Sequence, residues 1–273
     1  MPAEIETPVT ARHLESHMPT ARNDGVALHY ERDGNGEPVV FVSEAGLGGW
    51  LWGWQHAALA GPFETVVWDL RGTGRSDAPP GPYDLETLAA DFEAVLADCG
   101  HRSAHVVGAG LGGAVALEAA RTTTRVETLA LFGTAPRGSD FDLEPLFAPP
   151  DDRRALRESL EVALSPEFRT DQPDVLEGIA DWRADGDAAR AGFEAQVAAL
   201  EGFDATDWLV EVTQPALVVY GTTDALVPVD AGRDLARRLP RGEFESLEGA
   251  GHLAFAERSR DVNDRLLGFF EGA

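Results

Sequence analysis

The chain has 273 residues, 47 of them acidic and 22 basic, for a formal charge of -25 at pH 7. That balance repels phosphate backbones and anionic membranes, which argues against a nucleic acid or a lipid surface as partner. A hydrophobic content of 44% suffices for one α/β domain with an insertion and is too high for wholesale disorder. Every basic residue is arginine, and the acidic residues are scattered rather than gathered into a tail. Such a chain suits a solvent of very high ionic strength, where repulsion is screened within roughly 3 Å. A GC-rich genome would favour arginine over lysine but would not by itself produce this charge. The single cysteine, Cys99, excludes an intrachain disulfide and reads as a packed core residue near the end of an amphipathic helix. No apolar h-region opens the chain and no apolar stretch is long enough to span a bilayer, so a soluble cytoplasmic protein is expected.

Residues 1–18 are polar and without a clear period, and are expected to form a loose leader. From there strands alternate with helices, the pattern of a mostly parallel sheet covered on both faces. Ala27–Arg32 reads as an early edge strand, followed by the turn Asp33-Gly34-Asn35-Gly36. Continuous apolar runs, as buried parallel strands require, occur at 38–42, 65–68, 104–107, 129–132 and 216–220. Asp84 is placed to cap a helix with Leu85, Leu88, Ala89, Phe92, Val95 and Leu96 on one stripe, and Gly100 to stop it. Leu111–Arg121 is a helix of small residues, able to lie close to the sheet. Between 136 and 206 the strand pattern lapses into helical segments, among them Arg153–Leu164 and Ala188–Leu200, broken by Pro149-Pro150 and Pro173. This stretch reads as a helical lid over a pocket, with Phe147, Phe168, Trp182 and Phe193 suggesting a small, partly apolar substrate. The tryptophans of Trp50-Leu51-Trp52-Gly53-Trp54 either line that pocket or pack the first helix to the sheet.

The strand ending at Val107 runs into Gly108-Ala109-Gly110-Leu111-Gly112-Gly113 and then a helix. A strand, a G-x-S-x-G turn and a helix make a nucleophile elbow, in which the central residue is held at positive φ with its side chain lifted clear. Here the central residue is Gly110, which takes the conformation without strain but offers no nucleophile. The glycine spacing also fits a dinucleotide loop, but the unit lies deep in the chain and no acidic residue ends the following strand, so no cofactor is expected. Downstream, Tyr220-Gly221-Thr222-Thr223-Asp224 follows a buried strand, and Gly249-Ala250-Gly251-His252 precedes a terminal helix reaching Phe270. Elbow, acid, histidine is the chain order of a hydrolase triad. The segment Trp68-Asp69-Leu70-Arg71-Gly72-Thr73-Gly74-Arg75-Ser76-Asp77 then matches a D-x-R-G-x-G-x-S pattern.

From about Asp24 to Phe270 the chain resembles the α/β-hydrolase fold superfamily, and its continuation Ala78-Pro79-Pro80-Gly81-Pro82-Tyr83 looks most like the enol-lactonase and small-ester-hydrolase branches. The resemblance implies a mostly parallel eight-stranded sheet flanked by helices, with a core of residues 19–135 and 207–273 and a lid of 136–206. It assigns Asp224 as the acid and His252 as the general base, with the backbone N–H groups of Leu111 and Ala45 as oxyanion donors. It implies no cofactor, and no Cys/His/Asp cluster has metal-ligand spacing. The partner is expected to be a small molecule, with a homodimer as the common assembly for such domains.

Two departures stand out. Gly110 replaces the nucleophile, and Ser43-Glu44 replaces the His-Gly usual before the first oxyanion donor. A carboxylate at Glu44 opposes a developing negative charge unless it turns outward or acts as a base itself. Three mechanisms are open, in order of preference. The Asp224–His252 dyad activates a water standing where a serine hydroxyl would be, cleaving an ester, lactone or enol ether. The dyad only moves protons, as in a lyase or isomerase. Or Ser43 or Glu44 supplies the nucleophile from the neighbouring strand. Against all three stands a ligand-binding pseudo-hydrolase that keeps the pocket without turnover.

Overall fold

The computed structural model describes residues 19–272, so the expected leader lies outside the described residues. The strands are β1 (Thr20–Asn23), β2 (Val26–Gly34), β3 (Glu37–Val42), β4 (Phe63–Trp68), β5 (Ala104–Ala109), β6 (Val126–Phe132), β7 (Ala216–Gly221) and β8 (Gly242–Leu247). They form one sheet in the order β1-β2-β4-β3-β5-β6-β7-β8. Pairings β1–β2 and β2–β4 are antiparallel and every later pairing is parallel. Strands β5 and β7 are buried at every residue, as are the last four residues of β3. That explains their continuous apolar runs, since helices cover both faces.

The expected edge strand at 27–32 is not an edge. It is the middle of β2, which pairs with β4 on one side and with β1 on the other. The edge is β1, a short hairpin arm closed by Asp24 and Gly25, both at positive φ.

The helices are α1 (Gly53–Leu59), α2 (Leu85–Asp98), α3 (Leu111–Thr122), α4 (Arg153–Ala163), α5 (Pro166–Asp171), α6 (Pro173–Gly186), α7 (Arg190–Val197), α8 (Val229–Arg238), α9 (Ala254–Glu257) and α10 (Ser259–Glu271). Asp84 caps α2 by accepting the Thr87 N–H at 2.7 Å, as its sequence position foretold. Cys99 follows α2 and is buried, which pushes its thiol up to about 11. Helices α4 to α7 all fall between β6 and β7. Within this insertion Pro173 separates two helices by starting the second, where a missing N–H costs nothing.

The loops leaving the C-terminal ends of β3, β5 and β7 converge on one place, the usual position of a site in a parallel sheet. Trp52 sits behind them in the core, stacked on Phe255 with ring centroids 4.6 Å apart and in contact with Phe41. The packing reading therefore holds for Trp52. Trp50 instead faces the insertion, donating its Nε1–H to Asp187 at 2.8 Å.

Candidate active site

Gly110 is the N-cap of α3, at φ 49° and ψ -111°. Its N–H donates to the Phe132 carbonyl at 2.9 Å, fixing the turn against β6. A side chain here would point into the site, and glycine leaves that volume to another residue. The occupant is the carboxylate of Glu44. A Cβ built on residue 110 would overlap Glu44 Oε2 and Cδ outright.

Glu44 leaves the end of β3 and turns inward, with no exposed surface. Its Oε1 accepts the N–H of Ala45 at 2.6 Å and of Leu111 at 2.9 Å. These are the two backbone donors expected to form an oxyanion hole, and the chain's own carboxylate fills it. Glu44 Oε2 lies 3.0 Å from His252 Nε2, and His252 Nδ1 lies 2.9 Å from Asp224 Oδ2. Asp224 Oδ1 accepts the N–H groups of Leu226 and Val227 at 2.9 and 3.0 Å. The result is a buried line of carboxylate, imidazole, carboxylate ending in two N–H donors. Burial alone would drive the His252 imidazole down. The opposite charges and hydrogen bonds of Asp224 and Glu44 overcome it and raise the group to about 10. The two carboxyl groups on either side of the ring thus favour its charged form.

Close packing holds the line in place. Gly133, at φ 53°, follows β6 beneath the imidazole, where a Cβ would come within 2.6 Å of His252 Cε1. On the far side Glu257 accepts the Gly251 N–H at 2.8 Å, the Ser165 N–H at 2.9 Å and the Ser165 hydroxyl at 2.5 Å. The histidine loop is thus fastened to the N-cap of α5. The Ala45–Trp50 loop is fastened to the insertion as well. Gln196 accepts the Gly46 N–H at 2.7 Å while donating to the Arg71 carbonyl and the Thr73 hydroxyl. Asp69 accepts the Gly49 N–H at 2.9 Å. Between this loop and the insertion, Ala45, Gly46 and Leu47 border Phe147 and Phe193 with no room left for a water molecule.

Six of the residues singled out from the sequence, Gly110, Leu111, Ala45, Glu44, Asp224 and His252, come together here. Ser43 does not join them, for its hydroxyl is buried and makes no hydrogen bond. Sequence reasoning missed Glu257 and Gln196. Glu257 carries no signal of its own. Gln196 is a polar residue on the inner stripe of a helix otherwise facing the core, a faint one. His105 is structural, bonded to Thr128 and stacked on Phe270. Among the described residues no three His, Cys, Asp or Glu side chains are grouped to hold a metal ion.

Comparison with known proteins agrees with this fold. The model of the alpha/beta hydrolase family matches residues 39–265. A protein of Caulobacter segnis named "Putative carbamate hydrolase RutD" is 32% identical, over 94% of this chain and all of its own length. One of the same name from Azorhizobium caulinodans is 29% identical over 92% of this chain and 98% of its own. Among solved structures, the enol-lactonase of Burkholderia xenovorans LB400 superposes with a TM-score of 0.82 at 27% identity, covering 93% of this chain and 100% of that one. The chain belongs to the alpha/beta hydrolase family.

Proposed function

We propose that the chain is a hydrolase for a small, partly apolar ester or lactone, working through Glu44, His252 and Asp224 instead of a serine at the elbow. One observation carries this reading. The Glu44 carboxylate stands in the volume an elbow side chain would occupy and bonds at once to both N–H donors and to His252 Nε2. An inert replacement for the nucleophile would have no cause to engage the rest of the machinery. The same observation shifts the mechanism away from a free water at the elbow, because Glu44 Oε2 already fills that point. Glu44 is then the group that meets the substrate, Asp224 orients the imidazole, and His252 handles the proton of the hydrolytic water. Relatives named as a carbamate hydrolase and an enol-lactonase support a small substrate with an ester-like bond. The acidic, lysine-free composition supports work in a high-salt cytoplasm.

The test is turnover of short-chain esters and small lactones at molar salt. Glu44→Gln and His252→Gln are each expected to lose a hundredfold or more, on the order of a general acid–base contribution, while far-UV circular dichroism stays unchanged. A second reading, a ligand-binding protein without turnover, draws on the filled oxyanion hole. It predicts no hydrolysis by the parent, and ligand binding that survives His252→Ala.

A further inference from the structure

We propose that the cavity between α5 and the start of α10 is a binding site for a small zwitterion, taking its ammonium group against α5 and its carboxylate against α10. The site is separate from the line of Glu44, His252 and Asp224 and does not depend on the hydrolase reading. Open space and unpaired charge coincide there. The cavity measures ≈ 250 Å³, a little below the roughly 300–1,000 Å³ of pockets for drug-sized ligands, so its occupant is small.

Two segments form the walls. Helix α5 brings Glu167 and Asp171, and the passage from α9 into α10 brings Arg258, Arg260 and Asp261. The first wall is negative and the second carries a net positive charge. Among the described residues none of these five side chains forms an ion pair. Arg258 only reaches the Glu248 carbonyl, at 3.4 Å. Elsewhere Arg153, Arg190 and Arg265 each hold two carboxylates. In a chain with 47 acidic and 22 basic residues, two neighbouring arginines left without a carboxylate are free to take one from outside, and the guanidinium fork suits that group. A simple anion would gain Arg258 and Arg260 but face Glu167 and Asp171 across the cavity. A simple cation would meet the reverse. A molecule carrying both charges satisfies both walls, and a short apolar spacer between them lies along Phe168, which is buried in the lining.

The walls join at Glu257, whose buried carboxylate accepts the Ser165 N–H at 2.9 Å and the Ser165 hydroxyl at 2.5 Å. The same group accepts the Gly251 N–H at 2.8 Å, and the Leu253 N–H donates to the Ala163 carbonyl at 3.0 Å. The residues on either side of His252 are therefore fixed to the segment that carries the cavity. An occupant that bridges α5 and α10 bears on this fastening, and the Ser165 and Gly251 amides report its arrival.

The experiment is an NMR titration of the parent protein at molar salt, following those two amides, with glycine, 4-aminobutanoate and 6-aminohexanoate. Butylamine and butanoate, which carry one charge each, are the controls. The expected result is saturable shifts with at least one of the three amino acids, and binding of both controls weaker by about tenfold or more. Arg260→Gln and Asp171→Asn change exposed side chains on opposite walls. Each is expected to weaken binding of that amino acid by about tenfold or more, with the circular dichroism of the parent. Failure of all three amino acids to saturate overturns the inference. So does a control that binds as tightly as the amino acid, because one charge then suffices, and so does either variant binding as the parent does. Ester turnover enters none of these outcomes, so the hydrolase reading stands or falls separately.

Discussion

A serine introduced at position 110 meets the Glu44 carboxylate before it meets anything else. Its Cβ overlaps Oε2 and Cδ, and the backbone stands at a φ that side chains rarely adopt. Gly110→Ser alone is therefore expected to destabilise the fold by about 1–3 kcal/mol, as overpacking does, and to gain no reactivity. Gly110→Ser combined with Glu44→Gly clears the carboxylate, frees the N–H groups of Ala45 and Leu111, and leaves the Asp224–His252 pair to activate the hydroxyl. The double variant is expected to label with a fluorophosphonate probe and the single one is not; labelling of the single variant would mean that Glu44 yields the site freely. A second expectation concerns His252 itself. Its folded value of about 10 exceeds the ordinary 6.5, so this group lends stability in full below about pH 6.5 and loses that contribution as pH rises through about 10. Imidazole resonances followed by NMR are expected to titrate near the higher value in the parent and clearly lower in Glu44→Gln. An unshifted titration in the variant would show that Asp224 alone sets it. The two departures were visible in the sequence, with Glu44 already a candidate to supply the missing nucleophile. That one makes room for the other was not, because the residues lie on different strand ends and only the parallel pairing of β3 with β5 brings them together.

The elements were legible in proportion to how completely they are buried. Strands β3 to β7 announce themselves as apolar runs because both faces of a central parallel strand are covered. The two edges escaped notice. Strand β1 is four residues of mixed polarity, and β8 alternates charged and apolar side chains with none of its residues fully buried. Inside the insertion the difficulty is of another kind. Arg183 and Asp187 are spaced like the exposed helical pairs Arg154–Glu158 and Arg190–Glu194. Nothing in the letters says that the first pair is buried. Asp187 nonetheless binds the Arg183 Nε at 2.6 Å, the Trp50 indole and the Gly48 N–H, and so ties α6 to the loop beside the site. Arg183 spends its other nitrogens on the Leu156 and Leu146 carbonyls and the Ser159 hydroxyl. Removing one partner of such a pair strands a buried charge, so Asp187→Ala is expected to cost about 3–5 kcal/mol. Denaturant unfolding at constant salt measures it. A change below about 1 kcal/mol, the range of an exposed pair, would show that the insertion stands off the core in solution.

At the scale of the whole molecule the charge decides the conditions under which the other predictions can be read. Acidic residues outnumber arginines by 47 to 22, and the ion pairs do not relieve the excess locally. Arg153 is shared by Glu177 and Asp181, Arg190 by Glu144 and Glu194, and Arg265 by Glu243 and Glu245. Each cation thus sits between two anions that repel each other, and these pairs are largely exposed, where a single pair is worth about 0–1 kcal/mol. What remains is a net charge of -25 whose self-repulsion grows as screening fails. The screening length is roughly 3 Å at 1 M salt and roughly 10 Å at 0.1 M. At the longer distance carboxylates on neighbouring helices of the insertion feel one another, while the buried sheet gains nothing in compensation. The chain is therefore expected to unfold cooperatively when salt is lowered from molar to millimolar, and to refold when it is restored. Circular dichroism during a salt titration checks this, and replacing exposed glutamates of α4 and α6 by glutamine is expected to move the midpoint to lower salt. Retained cooperative folding in dilute buffer would detach the acidic composition from salt, leaving a stable core that tolerates its surface charge.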